Sequence, residues 1–445
     1  MRIMKPGTST KAPVEQGNTQ QNKHAEQPRA VKTTTTDPAS WPGMALCDDP
    51  ITAQVLMFAW SGDSVIVKSP PGSGKTRLTV LLADALSGRA GLRVGIAAQT
   101  RAQATDIARR LGELDNKERV SLIWTKNGAR PDSGNTPVLF GSWANWPSQG
   151  GGVRIATTAK WLRCQPQTVA ADVLIVDEAY QATYADLGAL GAMAAQVVCV
   201  GDPGQIDPVV TGDTAKWVHN PVGPQRPGPA ALAIAHADVV STVALPNTWR
   251  LGQQTTAFVQ PLFYPDLPFT SRRPPEHLEI NGRVLAELAH RQIAVTDGPT
   301  DLGLIDAVVA RVRELLSRTT YVTSSGARAL SEQDVAVVVP HVNQAAAVRA
   351  MLADHPDVLC GTANSLQGQE RAAVVAVHPM AGRRSVEQFA LDTGRLCVML
   401  SRHRSHLSLL VDEQTDSVLN AAANDGESVG LARQVLDQIT ATHRF

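Results

Sequence analysis

A chain of 445 residues is longer than one hydrophobic core usually spans, so two globular domains are expected. Hydrophobic residues at 43% and charged residues at 18% exclude a disordered or fibrous polymer, and no run reaches the ~18 uninterrupted apolar residues of a membrane span. Lys plus Arg total 41 and Asp plus Glu total 41, a balance that argues against coating a polyanion over the whole surface but allows a local basic groove.

Residues 1–40 are rich in Thr, Gln, Lys and Pro and nearly empty of large apolar side chains, which predicts a disordered tail. The start, Met1-Arg2-Ile3-Met4-Lys5, runs into polar residues and lacks the apolar segment of a secretory signal. Cys47, Cys164, Cys199, Cys360 and Cys397 never form a CxxC pair, so neither a zinc site nor a disulfide framework is expected. Free thiols suit a reducing compartment, and a cytoplasmic protein without membrane contact is the expectation.

Over 41–245 short apolar runs alternate with amphipathic stretches. Ser64–Lys68, Leu92–Ile96, Val173–Val176 and Val197–Val200 read as strands buried on both faces, with helical periodicity between them over Arg77–Leu86 and Ala102–Leu111. This order predicts a parallel α/β sheet. Two stretches break the rhythm, an insertion at about 112–152 rich in Gly, Trp and Asn, and a Pro-rich run over 220–229. A connecting segment over 246–300 then leads to a second α/β series over 301–445, with apolar runs at Val335–Val339, Ala372–Val377 and Leu407–Val411 and a helix over Ala345–Leu352.

Ser69-Pro70-Pro71-Gly72-Ser73-Gly74-Lys75-Thr76 follows a strand and opens a helix, the context of a P-loop. Glycines let backbone N–H groups face phosphates, Lys75 neutralises the β and γ oxygens, the Thr76 hydroxyl ligates Mg²⁺, and Arg77 follows at the helix start. Ser69 stands where the strict pattern has Gly, which a backbone at negative φ tolerates. At the end of the strand Val173–Val176 comes Asp177-Glu178. There Asp177 would hold Mg²⁺ through water and Glu178 would orient and deprotonate an attacking water. An isolated acidic pair is commonly a solvated strand end; beside a P-loop it reads as catalytic. Gln54, upstream of the P-loop, is a candidate for reading adenine, with an ordinary helix-face glutamine as the alternative.

Further motifs follow in an order that resembles superfamily 1 helicases. Gly201-Asp202-Pro203-Gly204-Gln205 is similar to motif III, and Gln205 would sense the γ-phosphate. Asn247-Thr248-Trp249-Arg250-Leu251 is similar to motif IV, which implies that Arg250 contacts that phosphate. Gly361–Glu370 is similar to motif V, which implies strand contacts through Thr362 and Ser365 and nucleotide contacts through Gly368 and Glu370. Val398-Met399-Leu400-Ser401-Arg402-His403 is similar to motif VI, with Arg402 as arginine finger. Trp249-Arg250 followed by Phe263-Tyr264, and Val338-Val339-Pro340-His341 with Gln344, resemble the 5′-to-3′ branch that contains the nonsense-mediated-decay RNA helicase.

The resemblance implies two tandem RecA-like domains, ATP and Mg²⁺ as nucleotide and cofactor, and a single nucleic-acid strand, DNA or RNA, as partner. Thr100 at motif Ia and Thr158 at motif Ib would join Thr362 and Ser365 in gripping phosphates, though a cap or strand role is the plainer reading of any single Thr. Trp143, Trp146 and Trp161 are candidates for stacking bases or for local packing. The expected function is ATP-driven translocation or unwinding. An ATP-driven clamp without unwinding and a P-loop kinase are the alternatives. Protein partners are not legible.

Overall fold

The computed structural model describes residues 49–114, 119–366, 368–423 and 426–445, so the expected tail over 1–40 lies outside the described residues. The first domain opens with α1 (Pro50–Ser61), β1 (Ser64–Lys68), α2 (Lys75–Gly88), β2 (Arg93–Ala98) and α3 (Arg101–Glu113). It continues through β3 (Val120–Trp124), β4 (Val138–Phe140), β5 (Gly152–Thr157), α4 (Thr158–Trp161), α5 (Pro166–Val169) and β6 (Ala171–Asp177). It closes with α6 (Tyr184–Gly191), β7 (Ala194–Gly201), α7 (Gly228–Ala235) and β8 (Val240–Ala244).

These eight strands form one sheet in the order β4-β3-β5-β2-β6-β7-β1-β8, and every pairing is parallel. Both faces are covered, which is why the strands read as continuous apolar runs. In β1, Val65 and Val67 pack with Leu82, Leu86 and Ile107 on one face, while Ile66 packs with Trp161 and Leu187 on the other. The adjacent strands β6, β7 and β1 deliver Asp177, Gly201 and the P-loop to one edge, the C-terminal edge where open α/β sheets place ligands.

The second domain begins earlier than the sequence suggests. After a short parallel pair, β9 (Asn247–Thr248) with β10 (Thr270–Ser271), come α8 (Gln253–Phe263), β11 (Glu276–Ile280), β12 (Arg283–Val284) and β13 (Leu288–Ile293). Then follow α9 (Leu302–Arg318), β14 (Thr319–Thr323), β15 (Gly326–Ala329), β16 (Val335–Val339), α10 (Val342–Met351), β17 (Leu359–Thr362) and β18 (Arg371–Val377). The last elements are α11 (Thr393–Leu400), β19 (His403–Asp412), α12 (Thr415–Ala421), α13 (Glu427–Thr440) and β20 (His443–Arg444). A parallel sheet runs β17-β16-β18-β19-β13-β20, and a small antiparallel sheet runs β12-β11-β14-β15.

The segment over 246–300 is thus no mere connector. β13 sits between β19 and β20, and Phe258, Val259 and Leu262 of α8 are buried in the second core. Its Leu-Ala-His-Arg-Gln-Ile sequence hid it, because His290 and its polar neighbours interrupt the apolar run even though His290 is buried. The stretch 112–152 likewise contributes sheet. All five residues of β3 are buried, and β4 extends the edge beyond it. The Pro-rich run is tied down by Tyr184 N–H to the Arg226 carbonyl (2.8 Å) and Ala185 N–H to the Pro224 carbonyl (3.1 Å).

Candidate active site

The P-loop geometry starts from glycines. Gly72 (φ +70°) and Gly74 (φ +89°) both occupy the left-handed region, which lets the chain turn from β1 into α2. A Cβ on Gly72 would lie 2.3 Å from the Arg250 Cβ, because the segment after β8 packs directly on the loop. The Trp249 N–H donates to the Gly72 carbonyl (2.8 Å) and the Thr248 hydroxyl to the Pro71 carbonyl (2.6 Å). Ser69, at the first loop position, is fully buried and donates from its hydroxyl to the Gly201 carbonyl at 2.6 Å, so it braces the loop against β7.

A cavity of about 650 Å³ opens at this edge, between the two domains. From the first domain it is lined by Gly72 to Arg77 of the P-loop and α2, by Asp177 and Glu178, and by Gln205. From the second-domain side come Arg250, Ser365, Gly368, Glu370 and Arg402. Residues far apart in the chain, Lys75 and Arg402 among them, therefore share one cleft.

Within it the Lys75 Nζ lies 3.8 Å from Glu178 Oε1 and 4.0 Å from Asp202 Oδ2. Glu178 holds a left-handed backbone (φ +51°), a conformation that costs a non-glycine residue energy and is typically retained where a side chain must be aimed. Beside it, burial and then the Glu178 carboxylate push the Asp177 carboxyl above the ordinary range, with Lys75 opposing.

Asp202 fixes the neighbouring loop. Its Oδ1 accepts from the Gly204 N–H (3.0 Å) and the Tyr264 hydroxyl (2.8 Å), and its Oδ2 from the Gln205 amide (2.7 Å). Tyr264 ends α8, so this carboxylate also joins the first domain to the second.

On the far wall Arg250 pairs through Nε with Glu370 and reaches the Ser401 carbonyl at 3.5 Å. Arg402 is only 2% exposed, and burial pushes its guanidinium down to about 10, with Arg250 adding to the effect. Its Nε and Nη1 touch the Val398 and Gln369 carbonyls at 3.3 and 3.4 Å. Its Nη2, together with Ser73 Oγ, Asp177 Oδ1 and Gln181 Nε2, is buried without a hydrogen-bond partner among the described residues. Orphaned polar atoms of both signs around one cavity suit a ligand that carries anionic oxygens and a cation. The hard oxygen donors Thr76 and Asp177 fit Mg²⁺.

Several expected residues fall elsewhere. Gln54 is exposed on α1, outside the cleft lining, because Thr52, Val55, Leu56 and Ala59 form the face that α1 buries. Pro71 is buried behind the loop. Thr100, expected on the nucleic-acid strand, instead lines the cleft between the domains and caps α3, its Oγ1 accepting from the Gln103 N–H at 3.2 Å. Thr158 is buried, its hydroxyl directed to the Ala98 carbonyl at 3.4 Å. Thr362 and Ser365 bond mainly to each other in a local turn, Thr362 N–H to Ser365 Oγ at 2.8 Å. Trp161 is core, with its indole N–H on the Ile96 carbonyl (2.8 Å), Trp146 lies beneath the Arg154 guanidinium, and Trp143 is 63% exposed.

The sequence reading gave no role to Asp202 and Tyr264, which stand behind Gln205, or to the α3 face whose Gln103, Asp106 and Arg110 line the cleft. The signal for that face was present: polar residues at i, i+3 and i+7 in a helix that starts where β2 ends.

Fold and cleft define a two-domain α/β protein of the P-loop class, with the phosphate loop in the first domain and an arginine-bearing wall from the second. Family models described as AAA domain match residues 53–225 and, separately, residues 303–414. The chain is similar to the DNA-binding protein SMUBP-2 of Rattus norvegicus, 24% identical over 261 residues that cover 55% of this chain and 25% of that protein. The Mus musculus protein of the same name is 25% identical over 263 residues with the same coverage. The match thus spans a quarter of the length of these relatives.

Among solved structures, the Arterivirus nonstructural protein 10 helicase aligns with TM-score 0.44 and 16% identity, covering 82% of this chain and 63% of that one. The PRRSV helicase aligns with TM-score 0.42 and 18% identity over 83% and 58%. The Arterivirus protein in complex with DNA gives TM-score 0.44 and 15% identity over 82% and 64%. Among the described residues no helix is long and apolar enough to cross a membrane.

Proposed function

We propose that this chain is an ATP-hydrolysing superfamily 1 helicase or translocase that moves along a single nucleic-acid strand, with 5′-to-3′ polarity inferred from its motif resemblance. The observation that carries the reading is the shared cleft, in which Lys75, Glu178 and Gln205 face Arg250 and Arg402.

Hydrolysis places added charge on the γ-phosphoryl oxygens, and catalysis consists of positioning plus electrostatic stabilisation. Lys75 would leave its carboxylate partners for the β and γ oxygens. Glu178 would orient the attacking water and take its proton, while Gln205, held by Asp202, would mark the terminal phosphate. Arg250 and Arg402 would meet the developing charge as the domains close, which turns nucleotide state into domain motion. Thr76 and Asp177 would hold Mg²⁺, which when bound neutralises charge between the β- and γ-phosphates.

The strand would cross the tops of both domains, and the name of the curated relatives makes DNA the first polymer to test. The four cysteines among the described residues are free and buried, which suits a reducing compartment such as the cytoplasm. A clamp or switch without unwinding is the second reading. It is favoured by the stretch over 112–152, whose β3 and β4 join the main sheet instead of standing apart as a separation pin.

The test is ATPase activity with and without matched single-stranded DNA and RNA, beside a strand-displacement assay. Strand-stimulated hydrolysis that disappears in Lys75→Ala is expected. Hydrolysis unaffected by either polymer would return the chain to the P-loop kinase or metabolic ATPase class. Stimulated hydrolysis with no displacement of any duplex selects the clamp.

A further inference from the structure

We propose that Arg404 and Glu276 are positioning residues for the nucleotide cleft, gripping Glu370 and through it Arg250 from the small antiparallel sheet. The inference rests on the reading of the cleft as an ATPase site.

The contacts form a row of alternating charge. Arg250 lines the cleft and pairs through Nε with Glu370 Oε2. The other Glu370 oxygen, Oε1, lies 3.6 Å from Arg404 Nη1. Arg404 forks onto Glu276, with Nε to Oε1 at 2.9 Å and Nη2 to Oε2 at 3.0 Å, the two-pronged geometry that fixes a guanidinium in both distance and plane. Glu276 is 6% exposed on β11 and also accepts the hydroxyl of Tyr321 from β14. Arg404 itself does not line the cleft, so any influence it has on chemistry passes through Glu370.

Two features set this row apart from ordinary surface pairing. First, the small sheet already has its own backbone ladder, with β11 registered against β14 from Glu276↔Thr323 to Ile280↔Thr319, so it needs no arginine from another sheet to hold it together. The Glu276 carboxylate accepts from Tyr321 within its own sheet and, with both oxygens, from Arg404 of β19. Second, Glu370 sits between two guanidiniums, Arg250 first and then Arg404, and their pull holds its carboxyl below the usual range although burial opposes this. A carboxylate held charged and shared in this way restricts where Arg250 can swing. It keeps that side chain beside the cleft before nucleotide arrives, and removing the outer arginine would let Glu370 rotate and take Arg250 with it. The row also ties β11 and β14, and hence the wholly exposed β15, to the site, so that a displacement of the small sheet would be felt at Arg250.

The test compares Arg404→Gln, Arg404→Lys, Glu276→Gln and Glu370→Gln, and the double variant Arg404→Gln/Glu370→Gln, in the full chain. Thermal melts check folding, and steady-state ATPase is read beside equilibrium binding of fluorescent ADP. Arg404→Gln and Glu276→Gln should each lower kcat by roughly 10- to 100-fold, up to the loss that a misplacement of about 1 Å can cause, with ADP affinity unchanged. Arg404→Lys should recover part of the loss. The double variant should be no slower than Glu370→Gln alone, because both substitutions break the same row. If Arg404→Gln disturbs folding, the nearly isosteric Glu276→Gln carries the same comparison. Wild-type kcat in Glu276→Gln or Arg404→Gln, or additive losses in the double variant, overturns the proposal alone; absence of turnover in the unaltered protein overturns the ATPase reading with it.

Discussion

Replacing Arg402 by Met separates stability from catalysis within one side chain. The guanidinium is 2% exposed, and its contacts are two long bonds to backbone carbonyls at 3.3 and 3.4 Å, with the third nitrogen unpartnered among the described residues. Burial lowers its proton affinity to about 10, so at ~1.4 kcal/mol per pH unit the charged form costs the native state ~3 kcal/mol relative to the unfolded chain at neutral pH. The unfolded state binds that proton more tightly, so the penalty is present throughout the physiological range. Methionine keeps the aliphatic volume and removes the charge. Arg402→Met should therefore raise the nucleotide-free Tm by about 2 °C, since part of the gain is lost to imperfect packing. Turnover should meanwhile fall on the order of 10³-fold if the arginine meets the γ-phosphoryl charge. Differential scanning calorimetry without nucleotide and a coupled ATPase assay read the two effects. A Tm that drops like that of a core truncation would mean the guanidinium braces the fold, and turnover within a few-fold of the unaltered protein would remove Arg402 from the chemistry.

Glu178→Gln keeps the size of the side chain and removes the carboxylate proposed as the base. Fluorescent ATP binding should survive while hydrolysis stops, and hydrolysis at the unaltered rate would assign the base elsewhere. Gly72→Ala puts a methyl 2.3 Å from the Arg250 Cβ at a φ of +70°, so the loop must shift. A loss of at least ~2 kcal/mol in stability together with weakened nucleotide affinity is expected from melts and titrations, and unchanged values in both would contradict the packing described. Tyr264→Phe deletes the hydroxyl that reaches Asp202 Oδ1 at 2.8 Å, and should lower stability by ~1 kcal/mol and kcat more than KM, through a loosened Gln205. An effect on KM alone would argue against that route.

The P-loop was legible because its chemistry is contiguous. A β-branched strand, two glycines free to take positive φ, a lysine and a hydroxyl in eight positions leave little else to build. The same holds for Asp177-Glu178 at the end of an apolar run. Less legible was whatever depends on a helix face or an interrupted run. Gln54 was a reasonable adenine reader by position along the chain, yet the stripe Thr52, Val55, Leu56 and Ala59 turns it outward, while Gln103, Asp106 and Arg110 face the cleft unannounced. Thr158 read as a strand contact and is buried, since only the packing of α4 against β2 reveals which hydroxyl is spent on a carbonyl.

β13 escaped notice for a related reason. A strand that buries His290 and spaces it with Arg291 and Gln292 has no apolar run to display, and only its place between β19 and β20 identifies it. By itself, then, the sequence determined the class of fold, the order of the motifs and the position of the glycine-rich loop, because each of these is written in residues that are neighbours along the chain. Tertiary structure alone decided that Arg402 and Lys75 share a cavity, that Asp202 joins the domains through Tyr264, and that Glu276 reaches toward Arg250 through two intervening side chains. Those pairings span tens to hundreds of residues and exist only once the sheets have brought their edges together.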